Sequence, residues 1–311
     1  MRWTGKKVGL ALGGGGVRGL AHVGVLNVLE QEGIEIDLIV GTSAGALIGG
    51  AYASGLTTRE ITARVDAYLK SAEFEESAIK SVGLSFSPGP KSFFQRAQIF
   101  ARNQYYLVRA LFSPSILPVE DFQSLINYLL PDINIRDTRI PFQAVTTDLI
   151  TGGQIILKEG SLRQAVLASS SVPGACEPVR KDQWLLADGG VTSLVPVHAA
   201  RQAGADVVIA VMVDRDLPAS ASIATAKDVL YRAGEITANA LEASELQNAD
   251  VIVRPAVGDL HWSDFSRSNN MIALGEEAAR ASLEKINESL PLARRFSRFT
   301  RRLLRPEKSG M

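Results

Sequence analysis

Two short apolar segments, each followed at once by a glycine-containing turn and a helical pattern, constrain the fold of this chain most strongly. Val8–Leu12 is apolar or glycine throughout and leads into a glycine run and the helical spacing of Leu20–Leu29. Asp37–Val40 repeats the strand pattern before a tight turn and the small-residue segment Ala46–Ala53. Strands that are apolar at nearly every position are typical of parallel sheets covered on both faces. The sequence therefore predicts a βαβα unit.

The same alternation continues along the rest of the chain. Strand patterns and helical patterns follow one another at Phe142–Thr146, Gln154–Leu157, Leu162–Ala168, Trp184–Ala187, Val197–Gly204, Val207–Val213, Lys227–Gln247, Val251–Val253 and Ile272–Leu290. Such alternation predicts an α/β fold, a three-layer α/β/α arrangement with a central, mostly parallel sheet. We expect one domain over residues 1–290 and a basic tail over 291–311.

Residues 58–130 interrupt this alternation. Their pattern is mostly helical, broken by Ser85–Pro90 and Ser113–Ser115, and their aromatic side chains include Phe93, Phe94, Phe100, Tyr105, Tyr106 and Phe112. We interpret the segment as a helical insertion or cap. Its aromatic residues either pack inward or form a lid that faces lipid.

Composition excludes several classes of protein. The longest apolar runs, such as Val207–Val213, are about seven residues long, far short of the ~20 that cross a bilayer. A single cysteine, Cys176, excludes an intrachain disulfide and is typical of a reducing compartment. We interpret the apolar start after Lys6 and Lys7 as the first core strand and not as a secretion signal. We therefore expect a cytoplasmic protein, peripherally associated at most with the inner face of the membrane.

The turn Gly41–Gly45 has the form G-x-S-x-G and lies between an apolar strand and a small-residue helix. In a nucleophile elbow of this kind the serine backbone is strained, and flanking glycines such as Gly41 and Gly45 remove clashes as the turn closes. The hydroxyl of Ser43 would then project beside the free N–H groups of the helix start, where an oxyanion forms. The alternative is an ordinary glycine turn.

Residues 13–19 form a glycine-rich loop between the first strand and the first helix. The glycine spacing satisfies the dinucleotide fingerprint, but no ribose-binding acid stands at the end of the second strand, and no Gly-Lys-Ser/Thr follows for a P-loop. The remaining functional use is an oxyanion hole built from consecutive glycine N–H groups, with positive charge from Arg18 nearby. The competing interpretation is that the glycines only permit close packing of helix and strand.

A serine nucleophile needs a proton acceptor, and the residues alone leave its identity open. The chain has three histidines, His22, His198 and His261. A fourth candidate is Asp188, which ends an apolar strand and precedes two glycines, although Asp-Gly-Gly is also an ordinary turn sequence. The few His and Cys residues give no cluster for a metal, so we expect neither a metal nor a cofactor.

Four ordered blocks of this sequence resemble those of the patatin-like phospholipase family: Gly14–Gly19, Gly41–Gly45, Ala168–Pro173 and Asp188–Gly190. The likeness runs from about Lys6 to Asp214, and more loosely to residue 290. It implies a Ser–Asp dyad with Ser43 as nucleophile and Asp188 as base, and a phospholipid or lysophospholipid substrate. It also implies that the oxyanion and anion-binding elements are Gly14, Gly15, Gly16 and Arg18. The family's frequent Asn-Pro after Asp-Gly-Gly is replaced here by Leu194-Val195-Pro196.

The end of the chain is basic and amphipathic. Residues 291–311 hold seven Lys and Arg against one Glu, and apolar side chains recur at helical spacing at Leu292, Phe296, Phe299 and Leu303. Such a segment suits an anionic membrane surface, so peripheral contact through residues 291–305 is one expectation. A helix docked on its own domain and a disordered end are the alternatives. Nucleic acid is not expected as a partner, because the rest of the chain is mildly acidic.

Three functions compete at this point. The first is a Ser–Asp lipid acyl hydrolase. The second is a Ser–His–Asp esterase of the α/β-hydrolase type, in which His198 or His261 acts. The third is a non-catalytic regulator on a hydrolase fold, since a fold does not establish a function. The sequence indicates no oligomeric state.

Overall fold

A computed structural model describes residues 6–80, 115–214, 223–258, 260, 265, 268–291 and 294. Within them lies one eight-stranded sheet. Its strands are β1 (Val8–Leu12), β2 (Leu38–Thr42), β3 (Phe142–Asp148), β4 (Gln154–Leu157), β5 (Val179–Lys181), β6 (Trp184–Asp188), β7 (Val207–Val211) and β8 (Val251–Val253). The order is β5-β6-β3-β2-β1-β7-β8, and β4 pairs with β3 off this path.

Nine α-helices flank the sheet within the described residues. They are α1 (Ala21–Gln31), α2 (Ala44–Ala53), α3 (Thr58–Leu69), α4 (Ala72–Glu76), α5 (Val119–Leu129), α6 (Leu162–Ser169), α7 (Val197–Gln202), α8 (Ala226–Leu246) and α9 (Ser268–Ser289). Short 3-10 turns occupy Gly16–Leu20, Ile135–Asp137 and Gly189–Val191. The strands and helices expected from apolar periodicity are all present, and β5 is an additional strand.

The sheet buries both of its faces, which confirms the predicted three-layer arrangement. On one face the side chains of Leu10 and Leu12 pack with those of α1 and α2 in the larger apolar cluster. On the other face Ala11 and Val208 pack with residues of α7, among them Val197. Each fully buried Val or Leu side chain contributes about 1.5–3 kcal/mol to folding stability relative to an exposed one. Burial on both faces therefore stabilises the sheet between its two layers of helices.

The register along β3 determines where the strand ends meet. β2 runs parallel to β3 and its last pair is Thr42 with Val145, while β6 runs antiparallel and its last residue, Asp188, pairs with Thr146. Thr146 also pairs with β4, so β2 and β6 occupy the same edge of β3 and β4 the other. The ends of β2 and β6 therefore meet at adjacent residues of β3, Val145 and Thr146.

The interval 58–130, expected to be mostly helical, contains α3, α4 and α5. Tyr68 of α3 stacks edge-on or tilted against Phe74 and Tyr128, with ring centroids 5.4 Å apart in both cases. The six aromatic residues from Phe93 to Phe112 lie outside the described residues. A lid role for this segment stays a prediction.

The basic tail is described only at Pro291 and Arg294. The guanidinium of Arg294 lies 2.6 Å from the Asp37 carboxylate and donates to the Glu35 carbonyl at 2.8 Å, so this residue contacts the domain where β2 begins. The remaining tail residues, including Phe296 and Phe299, lie outside the described part. No described helix is both long and apolar enough to cross a bilayer.

Candidate active site

Ser43 sits in a strained turn between β2 and α2. Its backbone has φ 55° and ψ −122°, a conformation that costs a non-glycine residue on the order of 1–3 kcal/mol. The turn closes so tightly that a Cβ on Gly41 would lie 2.5 Å from the Gly45 carbonyl oxygen, and one on Gly45 would overlap the Leu12 carbonyl. Both flanking glycines are thus sterically required, and the geometry is that of a nucleophile elbow.

A buried hydroxyl that the sequence did not indicate supports this elbow. Oγ of Ser169, at the end of α6, accepts the Ser43 N–H at 3.0 Å and donates to the Val145 carbonyl at 2.6 Å. Two residues on, the Ser171 carbonyl accepts the Asp188 N–H at 2.8 Å. One short segment therefore holds both Ser43 and Asp188. Its only sequence signal was membership in the block Ala168–Pro173, which carries no chemistry by itself.

Asp188 ends β6 and is 5% exposed. Its Oδ1 accepts the Gly190 N–H at 2.7 Å, while Oδ2 has no hydrogen-bond partner among the described residues. Burial raises the pKa of Asp188 to about 6, and interactions with the Ser43 hydroxyl and the Gly190 N–H oppose that rise. The hydroxyl is thus near enough to affect the carboxylate but does not form a full hydrogen bond with it. This acid is ionised at neutral pH and more basic than a surface aspartate.

The glycine loop lies over the same site, and its amides are used unequally. The Gly13 N–H donates to the Val211 carbonyl at 3.0 Å, and the Gly14 N–H donates to the Leu194 carbonyl at 2.9 Å. The next two amides, of Gly15 and Gly16, have no acceptor within the described residues. These two N–H groups and the first free N–H of α2 are therefore available to a ligand in the described structure, whereas the Gly14 amide is already engaged.

Arg18 supports the loop more than it adds net charge. Its side chain is almost fully buried; Nη2 lies 2.6 Å from Oδ1 of Asp214, and Nε donates to the Gly15 carbonyl at 3.0 Å. The pairing with Asp214 offsets the positive charge expected from the sequence. The hydrogen bond to the Gly15 carbonyl fixes the orientation of the peptide between Gly15 and Gly16, two residues that line the site.

The histidines are engaged elsewhere or lie outside the described residues. His22 is fully buried, and its Nε2 lies 2.8 Å from the Gly13 carbonyl, to which it must donate. Burial lowers the pKa of His22 to about 4, so the ring is neutral. Its hydrogen bond to the Gly13 carbonyl supports the glycine loop. His198 is exposed and contacts Gln202 at 2.9 Å. His261 lies outside the described residues, so a triad that uses His261 stays a hypothesis.

Ser43, Asp188 and the glycine loop line one cavity of about 850 Å³. One side of it is apolar and is formed by residues of α2, α3 and α5, among them Leu47, Val65, Tyr68, Leu125, Ile126 and Leu129. The other side is formed by Val191, Leu194 and residues of α8 from Leu230 to Leu241. Across the described residues, no group of three or more His, Cys, Asp or Glu side chains is placed to hold a metal ion.

This chain is similar in sequence to parts of longer proteins. Patatin-like phospholipase domain-containing protein 7 of Rattus norvegicus is 34% identical over 212 residues, which are 67% of this chain and 14% of that protein. An uncharacterized NTE family protein of Mycobacterium bovis is 32% identical over 205 residues, or 66% of this chain and 48% of that protein. The match thus covers less than half of either relative.

The fold also resembles a solved structure. VipD from Legionella pneumophila superimposes with a TM-score of 0.50 at 14% identity, over 92% of this chain and 67% of that chain. A family model described as patatin-like phospholipase matches residues 10–201, a range that contains the elbow, the glycine loop and Asp188. This chain therefore belongs to the patatin-like phospholipase family, a family of lipid hydrolases.

Proposed function

We propose that this protein hydrolyses carboxylic esters of lipids, with Ser43 as nucleophile, Asp188 as base and an acyl-serine intermediate. The observation that carries the proposal is the arrangement around one cavity. A strained serine, a buried carboxylate with an unpartnered oxygen, and amides of the glycine loop without acceptors in the described part of the chain line the same space. Nucleophile, base and oxyanion donors are the three parts that acyl transfer needs.

In the first half-reaction, Oγ of Ser43 attacks the ester carbonyl carbon while Asp188 takes the hydroxyl proton. The oxyanion that forms accepts hydrogen bonds from the amides of Gly15 and Gly16, and each such donor is worth about 2.7–4 kcal/mol of transition-state stabilisation. Collapse of the tetrahedral intermediate breaks the ester C–O bond. The leaving alcohol receives the proton from Asp188, and the acyl group stays on Ser43.

In the second half-reaction, water attacks the acyl-serine carbonyl and Asp188 takes a proton from that water. A second oxyanion forms at the same amides and then collapses to release the carboxylic acid. The proton on Asp188 returns to Oγ of Ser43, which restores the starting state. A pKa of about 6 for Asp188 suits this double use, since the group is ionised at neutral pH but holds a proton better than an ordinary aspartate.

The shape and polarity of the cavity support a lipid substrate. Its wall from α3 and α5 is built of buried aliphatic and aromatic side chains such as Val65, Ile126 and Leu129, which favour a hydrocarbon chain over a polar one. The wall from α8 is more open, since Leu230 is 75% exposed. We assign the acyl chain to the first side and the alcohol part of a phospholipid or lysophospholipid to the second.

Peripheral membrane contact is part of the proposal. Leu230 and Val191 line the cavity and are half-exposed or more, so apolar surface surrounds its opening. The basic segment 291–305 supplies charge for an anionic surface on the cytoplasmic side, at about 1 kcal/mol per Arg near the membrane. Sedimentation with anionic and neutral vesicles tests it: full-length protein should bind the anionic vesicles, and a chain ending at residue 294 should bind them less.

The central test is a fluorophosphonate probe, which forms a covalent adduct with an activated serine. Wild type should be labelled and Ser43→Ala should not, and Asp188→Asn should lower ester hydrolysis by about 10²–10⁴-fold. Phospholipid, lysophospholipid and short-ester substrates then define the substrate class. Loss of activity in His198→Ala or His261→Ala would favour the triad instead. A folded wild type that takes no label would favour the non-catalytic regulator.

A further inference from the structure

The segment 189–194, here called the 189–194 loop, is hydrogen-bonded to every part of the candidate site. The Gly190 N–H donates to Oδ1 of Asp188 at 2.7 Å. The Ser193 carbonyl accepts the hydroxyl of Thr42, the residue before the nucleophile, at 2.9 Å. The Leu194 carbonyl accepts the Gly14 N–H at 2.9 Å. A displacement of this loop would therefore move the base, the elbow and the glycine loop together.

The side chain of Ser193 ties this loop to α8. Ser193 is fully buried, and its hydroxyl oxygen lies 2.7 and 2.8 Å from the two carboxylate oxygens of Glu245. Glu245 stands near the end of α8, a helix that also forms one side of the 850 Å³ cavity. The contact spans 52 positions of sequence, so it joins elements that local structure would not bring together.

Glu245 itself does not line the 850 Å³ cavity. It lines a second, smaller cavity of about 330 Å³ behind the loop, together with residues that include Thr192, His198 and Ser244. The hydrogen bond to Ser193 is therefore a direct link between this carboxylate and the 189–194 loop at the candidate site. Partial burial raises the pKa of Glu245 to about 7, while the Ser193 hydroxyl opposes the rise. Partial burial thus disfavours the charged form of this carboxylate, and the Ser193 hydroxyl stabilises that form. Carboxylates with a raised pKa and a specific partner are more typical of functional sites than of the protein surface.

We infer that Glu245 is a positioning residue for this hydrolase: through the Ser193 hydroxyl it holds the 189–194 loop, and with it the base, the elbow and the glycine loop, in reactive register. The inference rests on the proposed function. A carboxylate offers the hydroxyl two equivalent acceptors and fixes the loop against α8. Misplacement of catalytic groups by about 1 Å costs about 100-fold in rate, so a contact that sets three of them at once has a large effect without touching substrate.

The test compares Ser193→Ala, Glu245→Ala, their double variant and the conservative Glu245→Gln, whose amide oxygen still accepts the hydroxyl. Ser244→Ala is the matched control, because Ser244 lies on the same helix and lines the same small cavity. For a p-nitrophenyl ester, kcat should fall about 10- to 100-fold in both alanine variants, with KM changed by less than about 2-fold. The double variant should be no worse than either single one, and Glu245→Gln should recover most of the loss.

Hydrogen–deuterium exchange supplies a readout that does not depend on turnover. Peptides that contain Gly14 and the 189–194 loop should exchange faster in both alanine variants, because the Gly14 N–H bonds to that loop. Wild-type kcat in Glu245→Ala, additive losses in the double variant, or unchanged exchange at Gly14 would each overturn the inference. If wild type takes no fluorophosphonate label, the proposed function fails, and the exchange data still decide whether Glu245 holds the loop. Ser193→Ala and Glu245→Gln keep the test valid if Glu245→Ala does not fold.

Discussion

Burial makes Asp188 a different acid from a surface aspartate. One of its oxygens accepts a backbone N–H, and the other has no hydrogen-bond partner among the described residues. An incompletely satisfied buried carboxylate lowers the stability of the fold but raises basicity where a proton must be taken. The burial that lowers the stability of the fold is therefore the same burial that makes Asp188 a stronger base in the proposed reaction.

This coupling predicts that Asp188→Asn flattens the pH dependence of stability while it lowers hydrolysis by about 10²–10⁴-fold. The pKa is raised from 3.8 to about 6, so the associated stability is present below pH 3.8 and lost as the pH rises through about 6. At about 1.36 kcal/mol per pKa unit, the loss in wild type is about 3 kcal/mol. Urea unfolding at about pH 4 and about pH 8 measures it. Identical pH dependence in both proteins would show that the carboxylate is not destabilised by burial.

A second prediction at the residue scale concerns Ser169. Ser169→Ala removes the acceptor of the Ser43 N–H and leaves a buried donor unsatisfied, which should cost about 1–3 kcal/mol of unfolding free energy. We also expect kcat to fall more than KM rises, since the strained elbow loses a support. Ser282→Ala is the control: its hydroxyl donates to the Ala278 carbonyl within α9, so its effect should stay within about 0.5 kcal/mol. Equal effects of the two changes would contradict the role given to Ser169.

At the scale of elements, α3 and α5 build the apolar side of the cavity. α5 has a strong amphipathic pattern, and its buried residues Ile126 and Leu129 face α3 and α2 in the main core. Leu125 is half-buried and lines the cavity, while Gln123 on the same helix is exposed and does not. One helix therefore offers both a probe of the acyl side and a matched control.

Leu125→Trp is expected to shorten the acyl chains that the enzyme accepts. The larger ring fills part of the apolar side, and each excluded methylene costs about 1–3 kcal/mol of discrimination. Hence kcat/KM for long-chain p-nitrophenyl esters should fall by about 10-fold or more, with little change for the acetate or butyrate ester. Gln123→Trp should leave the chain-length profile as in wild type. A uniform loss across all chain lengths would show that the acyl chain does not lie beside α5.

For the whole molecule, the last described helix closes the fold against the first. A Cβ on Gly275 of α9 would overlap the Ala21 carbonyl, and one on Gly24 of α1 would overlap the Ile272 carbonyl. The two backbones thus approach each other directly, without side chains between them. α9 covers the helix that follows the glycine loop, so the site depends on a contact between the first and the last helix of the described residues.

Gly275→Ala should therefore destabilise the protein although alanine is the better helix former. The clash with Ala21 is expected to cost about 1–3 kcal/mol, against a helix-propensity gain of about 1 kcal/mol. Gly234→Ala on α8 is the control, since no heavy atom of the described residues lies within 4 Å of the position that its methyl group would take, and it should raise stability by about 0.4–1 kcal/mol. Urea denaturation of the three proteins compares them, and a stabilised Gly275→Ala would contradict the close helix contact.

Local patterns in the sequence are sufficient for most strands and helices. Strands buried on both faces must be apolar at each position, so β1, β2 and β7 are predicted directly from their residues. The G-x-S-x-G turn is also found from local sequence, because its parts are adjacent in the chain, and its role as a nucleophile elbow stays a prediction. β5 was missed because Val179–Lys181 is three residues long and only half-buried, which leaves no apolar pattern. The family resemblance is confirmed, and it favours Asp188 where the residues alone leave four candidates for the base.

Contacts between distant segments were decided only by the tertiary structure. Antiparallel pairing of β6 with β3 places Asp188 one register position beyond the end of β2, and no local pattern encodes that pairing. Ser169, Ser193 and Glu245 likewise gain their roles from hydrogen bonds across 126 and 52 positions. The sequence by itself determined which groups are able to carry chemistry, because side-chain type and local spacing do not depend on the rest of the fold. Their distances and their burial, and hence the pKa values, depend on packing of the whole chain.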